Sequence, residues 1–180
     1  MQKSKIPFLL EEELVHGARI IIDAVSALHN EGFIHGQINL QSVLLGRRNS
    51  QSNIFKVALS KTHRCQKSSI FEEFIDATPH ISKQAFHQLY LAPEYHAYGS
   101  LGKTSDIWSL GVSLFVLATG YLPFSTPEKI LQDPLSFPSG VSLKTELKTL
   151  LSCMLSKEAS ARPSARKILQ SPWFIKFQQG

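Results

Sequence analysis

A run of apolar residues from Ile107 to Ala118, broken by a few small polar residues, is the strongest pattern in the chain. The apolar positions fall on every side of a helix, so this helix has no face suited to water and must be enclosed by protein. Thr104 and Ser105 can cap a first helical turn, and Gly120 can end a helix. The pattern predicts a central buried helix over residues 104–120. The run is shorter than the about 20 residues that span a bilayer, which argues against a membrane segment.

The segment before residue 33 has the spacing of an amphipathic helix. Between Glu11 and Gly32 the apolar residues recur at positions that share one helix face. Glutamates fill the first turn and complement the helix dipole, while Gly32 can end the helix. The spacing predicts a helix over residues 11–32.

Two short apolar segments in the next part of the chain predict a small β-hairpin. Val43–Leu45 and Ile54–Leu59 flank a polar turn rich in Asn, Ser and Gln. Residues 60–90 show no clear period and predict a long loop with one helical turn. Helical patterns return at residues 143–155 and 164–169. The predicted fold class is mainly α, with helices around the central buried helix and one small β-hairpin.

Composition narrows the function classes. The chain has 180 residues and 43% hydrophobic content, which is enough for the core of one domain. The formal charge is +5, but the basic residues are scattered and not interleaved with aromatic residues, so we expect no nucleic-acid partner. Cys65 and Cys153 lie far apart without the spacing of a metal site. They suit a reduced intracellular protein. Since no signal peptide is visible, we expect a cytoplasmic location and no membrane partner.

Several short motifs occur in the order and at the spacing that eukaryotic protein kinases show. The matching segments are Phe33–His35 at the catalytic loop, Ala92–Glu94 at the A-P-E motif, Ser105–Gly111 at the central helix, and Arg162–Ser164 with Pro172–Phe174 near the end. From Glu11 onward the chain therefore resembles the C-terminal lobe of a eukaryotic protein kinase of the serine/threonine type.

The resemblance implies one protein-kinase-like domain over residues 1–180, without the family's N-terminal lobe. The implied parts are the helix at 11–32, a degenerate catalytic loop and hairpin at 33–59, an activation-segment-like loop at 60–94, the central helix at 104–120, and C-terminal helices at 121–180.

The family's catalytic positions are occupied by other residue types. Phosphoryl transfer uses a carboxylate near the substrate hydroxyl and oxygen ligands for magnesium, arranged as H-R-D-L-x-x-x-N and D-F-G. By the resemblance, Gln37 stands at the base, Asn39 at the lysine, Ser42 at the metal-binding asparagine and Leu59 at the D-F-G aspartate. No Asp or Glu occurs between residues 32 and 71, so a shifted alignment restores no carboxylate. We therefore expect no catalytic residue, no cofactor or metal site, no ATP or magnesium binding, and no enzymatic activity.

Four other positions match structural residues of the family. The resemblance implies that Asp106 holds backbone amides of the catalytic loop and that Glu94 pairs with Arg162. His35 has no neighbouring carboxylate or nucleophile in the sequence, which favours a structural role for it as well.

The leading hypothesis is a pseudokinase-type module that acts by binding a protein partner. An alternative is a truncated fragment of a serine/threonine protein kinase-like protein whose N-terminal lobe is missing. In this hypothesis, ATP binding and protein phosphorylation belong to the whole protein. A third hypothesis is a gene product without a role.

Overall fold

A computed structural model of the protein describes residues 11–40, 43–49, 52–57 and 83–176. This part of the chain is mainly helical, and the predicted fold class is confirmed. The helices are α1 (Glu11–Asn30), α2 (Lys83–Gln88), α3 (Pro93–Tyr98), α4 (Lys103–Thr119), α5 (Pro127–Gln132), α6 (Thr145–Met154), α7 (Ala165–Leu169) and α8 (Pro172–Lys176), with a 3₁₀ turn at Ala159–Ala161.

Helix α4 is the centre of the fold. From Ser105 to Thr119 every residue is buried, as expected for a helix that is apolar on all sides. It ends at Gly120, which adopts the left-handed conformation at φ 74° and donates its backbone N–H to the Val116 carbonyl. The apolar pattern therefore predicted the burial of this helix, and Gly120 predicted its C-terminal end.

The start of α4 differs from the prediction. The helix begins at Lys103 after an extended Gly102, so Thr104 and Ser105 lie inside the first turn instead of capping it. The Ser105 hydroxyl accepts a hydrogen bond from the Gly102 backbone N–H at 2.9 Å. This is the return bond of a capping box, in which the third helical residue satisfies the amide before the helix.

The other helices pack around α4. Helix α1 contacts α4 and α7, and α6 contacts α4 and α8. The end of α6 approaches α4 closely at Gly111, where a Cβ atom would lie 3.0 Å from Leu155 Cδ2 and 3.1 Å from Met154 Cβ. A side chain at position 111 would therefore separate α4 from the end of α6.

Two antiparallel strands form the hairpin, β1 (Val43–Asn49) and β2 (Ser52–Val57). Val43 pairs with Val57, and the register shifts near the turn between Arg47 and Asn49. The first strand is longer than the predicted Val43–Leu45, because its pairing continues into the polar turn. The long loop predicted at 60–90 lies outside the described residues up to position 82, and its described part includes α2.

Within the described part of the chain, no helix combines the length and the apolar character needed to cross a bilayer.

Candidate functional site

The loop at residues 33–40 is fixed to the central helix by one carboxylate. Asp106, in the first turn of α4, is 1% exposed. Its Oδ2 accepts hydrogen bonds from the His35 backbone N–H and from His29 Nε2, both at 2.8 Å. Its Oδ1 accepts from the Gly36 backbone N–H, also at 2.8 Å. Because bonds to an ionised acceptor are the stronger kind, the position of this loop depends on Asp106.

Gly36 gives this loop its turn. Its φ of 74° lies in the left-handed region, which glycine adopts without strain. The nearest neighbour on its side-chain side is Leu101, whose Cδ1 would lie 3.7 Å from a Cβ atom at position 36. The loop and the segment before α4 therefore lie side by side at the surface.

Gln37, at the position matching the family's catalytic base, is exposed. Its backbone N–H donates to His35 Nδ1 at 3.3 Å, which fixes the backbone and leaves the side chain facing solvent. A primary amide can donate and accept hydrogen bonds, but it is not a base. Gln37 can therefore hold a hydroxyl group without removing its proton.

Asn39 joins the loop to the segment that precedes the A-P-E motif. Its buried Nδ2 lies 3.3 Å from the Gln37 carbonyl oxygen and 3.3 Å from His87 Nδ1. Since an amide nitrogen only donates, His87 Nδ1 is the acceptor and carries no proton in this contact. Burial lowers the pKa of His87, which also favours the neutral ring. Neutral groups thus make the connection between the loop and this segment.

A second connection ties the A-P-E segment to the C-terminal region. Arg162 Nη1 donates to Glu94 Oε1 at 2.8 Å, and Nη2 donates to Oε2 at 2.7 Å. The Ser105 hydroxyl donates to Glu94 Oε1 at 2.9 Å. Burial raises the pKa of Glu94, but the Arg162 hydrogen bond and charge more than offset it, so the net pKa is lowered. This two-pronged geometry suits a guanidinium and a carboxylate.

The structure thus places His35, Gln37, Asn39 and Asp106 together, with Glu94 and Arg162 forming a separate pair next to the start of α4. Ser42 and Leu59 lie outside the described residues. The contacts of Glu94, Asp106 and Arg162 are those that a structural role requires, and the roles themselves stay predictions.

Two residues of this site, His29 and His87, are not identified from the sequence. Each contacts a residue far away in the chain, His29 with Asp106 and His87 with Asn39. Local sequence patterns give no signal for such contacts.

The loop does not fit a magnesium ion. Magnesium prefers carboxylate and phosphate oxygens, whereas the donors at Gln37 and Asn39 are neutral amides. Across the described residues, no group of three or more His, Cys, Asp or Glu side chains is placed to hold a metal.

Comparison with known proteins identifies the family. The sequence model of the protein kinase domain matches residues 2–174. The chain belongs to the protein kinase domain family. It is 31% identical over 163 residues to CBL-interacting protein kinase 5 of Oryza sativa subsp. japonica, covering 87% of this chain and 33% of the relative. It is 29% identical over 174 residues to a calcium and calcium/calmodulin-dependent serine/threonine-protein kinase of Lotus japonicus, covering 91% and 31%.

A third relative is serine/threonine-protein kinase pim-2 of Danio rerio, with 29% identity over 158 residues, covering 86% of this chain and 46% of the relative. The chain spans about a third of the length of the first two relatives.

The expectation that this chain is not an enzyme is wrong. The protein kinase domain match and the named serine/threonine kinase relatives place it in a phosphotransferase family. That expectation rested on the residue types at Gln37, Asn39, Ser42 and Leu59 and on the lack of Asp and Glu between residues 32 and 71. Those features describe local ligands for metal and proton, not the class of the protein. The absence of nucleic-acid and membrane partners and the intracellular location stay predictions.

Proposed function

We propose that this chain is the protein-binding part of a serine/threonine protein kinase-type phosphotransferase. In this proposal it holds a protein segment with a serine or threonine hydroxyl beside Gln37. The side chains that contact the nucleotide and the acidic side chains that phosphate transfer needs lie outside the loop at 33–40.

The observation that carries the proposal is a set of exposed apolar side chains in that loop and in residues 98–101, a segment that meets the loop where Leu101 borders Gly36. Phe33 is 64% exposed and Tyr98, at the end of α3, is 86% exposed. Ile34 and Leu101 are also exposed, and Leu101 borders Gly36. Large apolar side chains grouped at a surface are typical of a site that another chain covers. We call Phe33, Ile34, Tyr98 and Leu101 the apolar patch.

The polar groups next to the apolar patch favour a hydroxyl-bearing segment. Gln37 can accept a hydrogen bond from a hydroxyl through Oε1 and donate one through Nε2. Asn39 and the neutral His87 add no charge to this surface. These three residues offer no opposite charge to an acidic or basic side chain. A hydroxyl group, by contrast, can form hydrogen bonds with Gln37.

The names of the relatives support the same substrate class, because several are serine/threonine-protein kinases. A second candidate function follows from the coverage of about a third of two of these relatives. In it, this lobe acts within a longer protein that binds ATP and phosphorylates proteins.

Binding of peptide mixtures tests the first proposal. One mixture has serine or threonine at its centre, and the other has alanine there. By fluorescence anisotropy we expect the chain to bind the hydroxyl mixture more tightly, and Phe33→Ser and Tyr98→Ser to weaken both mixtures.

Ile175→Ser is the matched control. Ile175 is 42% exposed, as Leu101 of the patch is, but it lies on α8 near the opposite end of α1. This variant should bind as the unchanged chain does. Equal weakening by all three substitutions would show that the apolar patch is not the binding surface.

A further inference from the structure

Two imidazole rings hold the backbone of Gln37. The Gln37 N–H donates a hydrogen bond to His35 Nδ1 at 3.3 Å. The Gln37 carbonyl oxygen accepts one from Asn39 Nδ2 at 3.3 Å, and the same nitrogen lies 3.3 Å from His87 Nδ1. The backbone of Gln37 is thus connected to one histidine directly and to the other through a single amide group.

Both connections need a ring whose Nδ1 carries no proton. A carbonyl oxygen only accepts hydrogen bonds, so the atom of Asn39 that faces the Gln37 carbonyl is the amide nitrogen. That nitrogen has two hydrogens, and the second one is available for His87 Nδ1. At His35 the donor is a backbone N–H, which leaves the ring as the acceptor. Since a protonated imidazole donates at both nitrogens, these contacts form only with neutral rings that carry their proton on Nε2.

The titratable groups on the α4 side of the loop contact it before Gln37. Asp106 accepts from the His35 backbone N–H and lies 2.8 Å from His29 Nε2. The amine of Lys103 donates to the His29 carbonyl oxygen. These groups hold the start of the loop, whereas the two imidazole rings hold the backbone of Gln37 itself.

On the α2 side, the groups next to His87 favour its neutral form. Tyr90 is buried, and its pKa is raised well above 10, so it carries no charge near neutral pH. On α3, His96 Nε2 lies 3.0 Å from the Gln88 carbonyl oxygen. Burial lowers the pKa of His87 below the ordinary 6.5. Near neutral pH this ring can therefore accept the hydrogen bond that its geometry requires.

We propose that His35 and His87 are positioning residues that hold Gln37 only while their rings are neutral, so that acid releases Gln37 and weakens its selection of a hydroxyl group. Protonation of His35 places an N–H against the N–H of Gln37, and protonation of His87 places one against the amide of Asn39. Two donors that face each other cannot share a hydrogen bond, so each ring must turn away from its partner. The selection of a hydroxyl group rests on the function proposed above, whereas the positioning of Gln37 does not.

Nuclear magnetic resonance of the full chain tests the positioning. Proton–nitrogen correlation spectra show which nitrogen of each imidazole carries the proton, and each ring is followed from about pH 8 to about pH 5, across the range where histidines titrate. At pH 8 we expect His35 and His87 to carry their proton on Nε2. The amide signal of Gln37 should move at the midpoint of His35. The amide nitrogen of Ile38, which shares a peptide group with the Gln37 carbonyl, should move at the midpoint of His87. A proton on Nδ1 of either ring at pH 8, or amide signals that do not follow these midpoints, would overturn the proposal.

His87→Asn separates the effects of the two rings. An asparagine side chain offers an oxygen as acceptor near the place of Nδ1, but it does not titrate in this range. In this variant we expect the Ile38 amide nitrogen to lose its pH-dependent movement, while the Gln37 amide keeps its own. His16→Asn, at an exposed position on α1, is the matched control and should leave both movements as they are. An Ile38 signal that moves as before in His87→Asn would show that no link runs from this ring to the Gln37 carbonyl.

Peptide binding tests the consequence for selection. The two peptide mixtures have blocked ends and contain no Asp, Glu or His, so that only the chain titrates. The ratio of dissociation constants for the alanine-centred and the hydroxyl-centred mixture should fall from about five at pH 8 to about one at pH 5. His16→Asn should show the same fall. A ratio that stays at about five while the Gln37 signals move would contradict the control of selection by the two rings. A ratio of about one at every pH would contradict the proposed function and this control together, whereas the resonance midpoints decide the positioning of Gln37 by themselves.

Discussion

Asp106 accepts a hydrogen bond from the backbone N–H of Gly36 at 2.8 Å, although the two residues are 70 positions apart in the chain. The bond connects the first turn of the central helix to the turn of the surface loop. In this way the most buried helix of the fold sets the position of Gln37, the exposed residue next to Gly36.

Replacing Asp106 tests how strongly the loop depends on it. Asp106→Asn removes the negative charge and places an amide nitrogen among groups that donate hydrogen bonds. We expect the free energy of unfolding to fall by about 3 kcal/mol, as for other disrupted buried charge networks. Urea denaturation measures this. Asp23→Asn, at an exposed position on α1, should change the free energy of unfolding by less than about 0.5 kcal/mol. Similar values for the two variants would contradict the dependence on Asp106.

The pair of Arg162 and Glu94 predicts a specific cost for a conservative substitution. Arg162→Lys keeps the charge but cannot donate two parallel hydrogen bonds to the carboxylate. We expect a loss of about 2 kcal/mol in the free energy of unfolding. A double-mutant cycle with Glu94→Gln should show that most of this loss comes from the pair. Additive effects of the two substitutions would show that the contact does not stabilise the fold.

The lowered pKa of Glu94 predicts a loss of stability in acid. Its pKa in the folded state lies below that in the unfolded state, so its contribution is full above about pH 4.5 and is lost as the pH falls through the folded pKa. Glu94→Gln has no such group to titrate. The difference in unfolding free energy between the unchanged chain and this variant should therefore narrow below about pH 4.5. A difference that stays constant down to pH 3 would contradict the pKa direction.

The fold was predicted from sequence more fully than the site. The run of apolar residues predicted the burial of α4, and the glycine at position 120 predicted the end of the helix. The start of α4 was predicted wrongly because a serine can either cap a helix from the position before it or lie in the first turn. The hydrogen bond from the Gly102 backbone N–H to Ser105 shows that this serine lies in the first turn. Motif order located Asp106 and Gln37. The contact between Asn39 and His87 was not predicted, because it depends on how two distant segments pack.

Lys157 predicts a change in stability at alkaline pH. Its pKa is lowered to about 8 in the folded chain, from 10.5. Between these values the unfolded state binds more protons than the folded state, so the free energy of unfolding should rise with pH. Tyr90 acts in the opposite direction above about pH 10, because burial raises its pKa. Lys157→Met changes the lysine and keeps Tyr90. The free energy of unfolding of the unchanged chain, relative to that of Lys157→Met, should therefore rise from pH 8 to pH 10. Parallel curves for the two proteins would contradict this.

Gly111 predicts the effect of adding one methyl group inside the core. Gly111→Ala improves helix propensity by about 1 kcal/mol, but its Cβ would lie 3.0 Å from Leu155 Cδ2. We expect a net destabilisation of about 1 to 2 kcal/mol, because the end of α6 must move away. Gly140→Ala is the control, since a Cβ atom there has no neighbour within 4 Å. A more stable Gly111→Ala variant would show that α4 and α6 are packed less closely than described.

The central claim is that Gln37 holds the hydroxyl of a bound protein segment. The most direct measurement is the ratio of dissociation constants for an alanine-centred peptide mixture and a serine- or threonine-centred one, in the unchanged chain and in Gln37→Ala. Because a neutral hydrogen bond contributes about 1 kcal/mol, we predict a ratio of about five in the unchanged chain and about one in the variant. The Gln37 carbonyl that accepts from Asn39 is part of the backbone and is kept in the variant. A ratio of about five in both proteins, or of one in both, would contradict the claim.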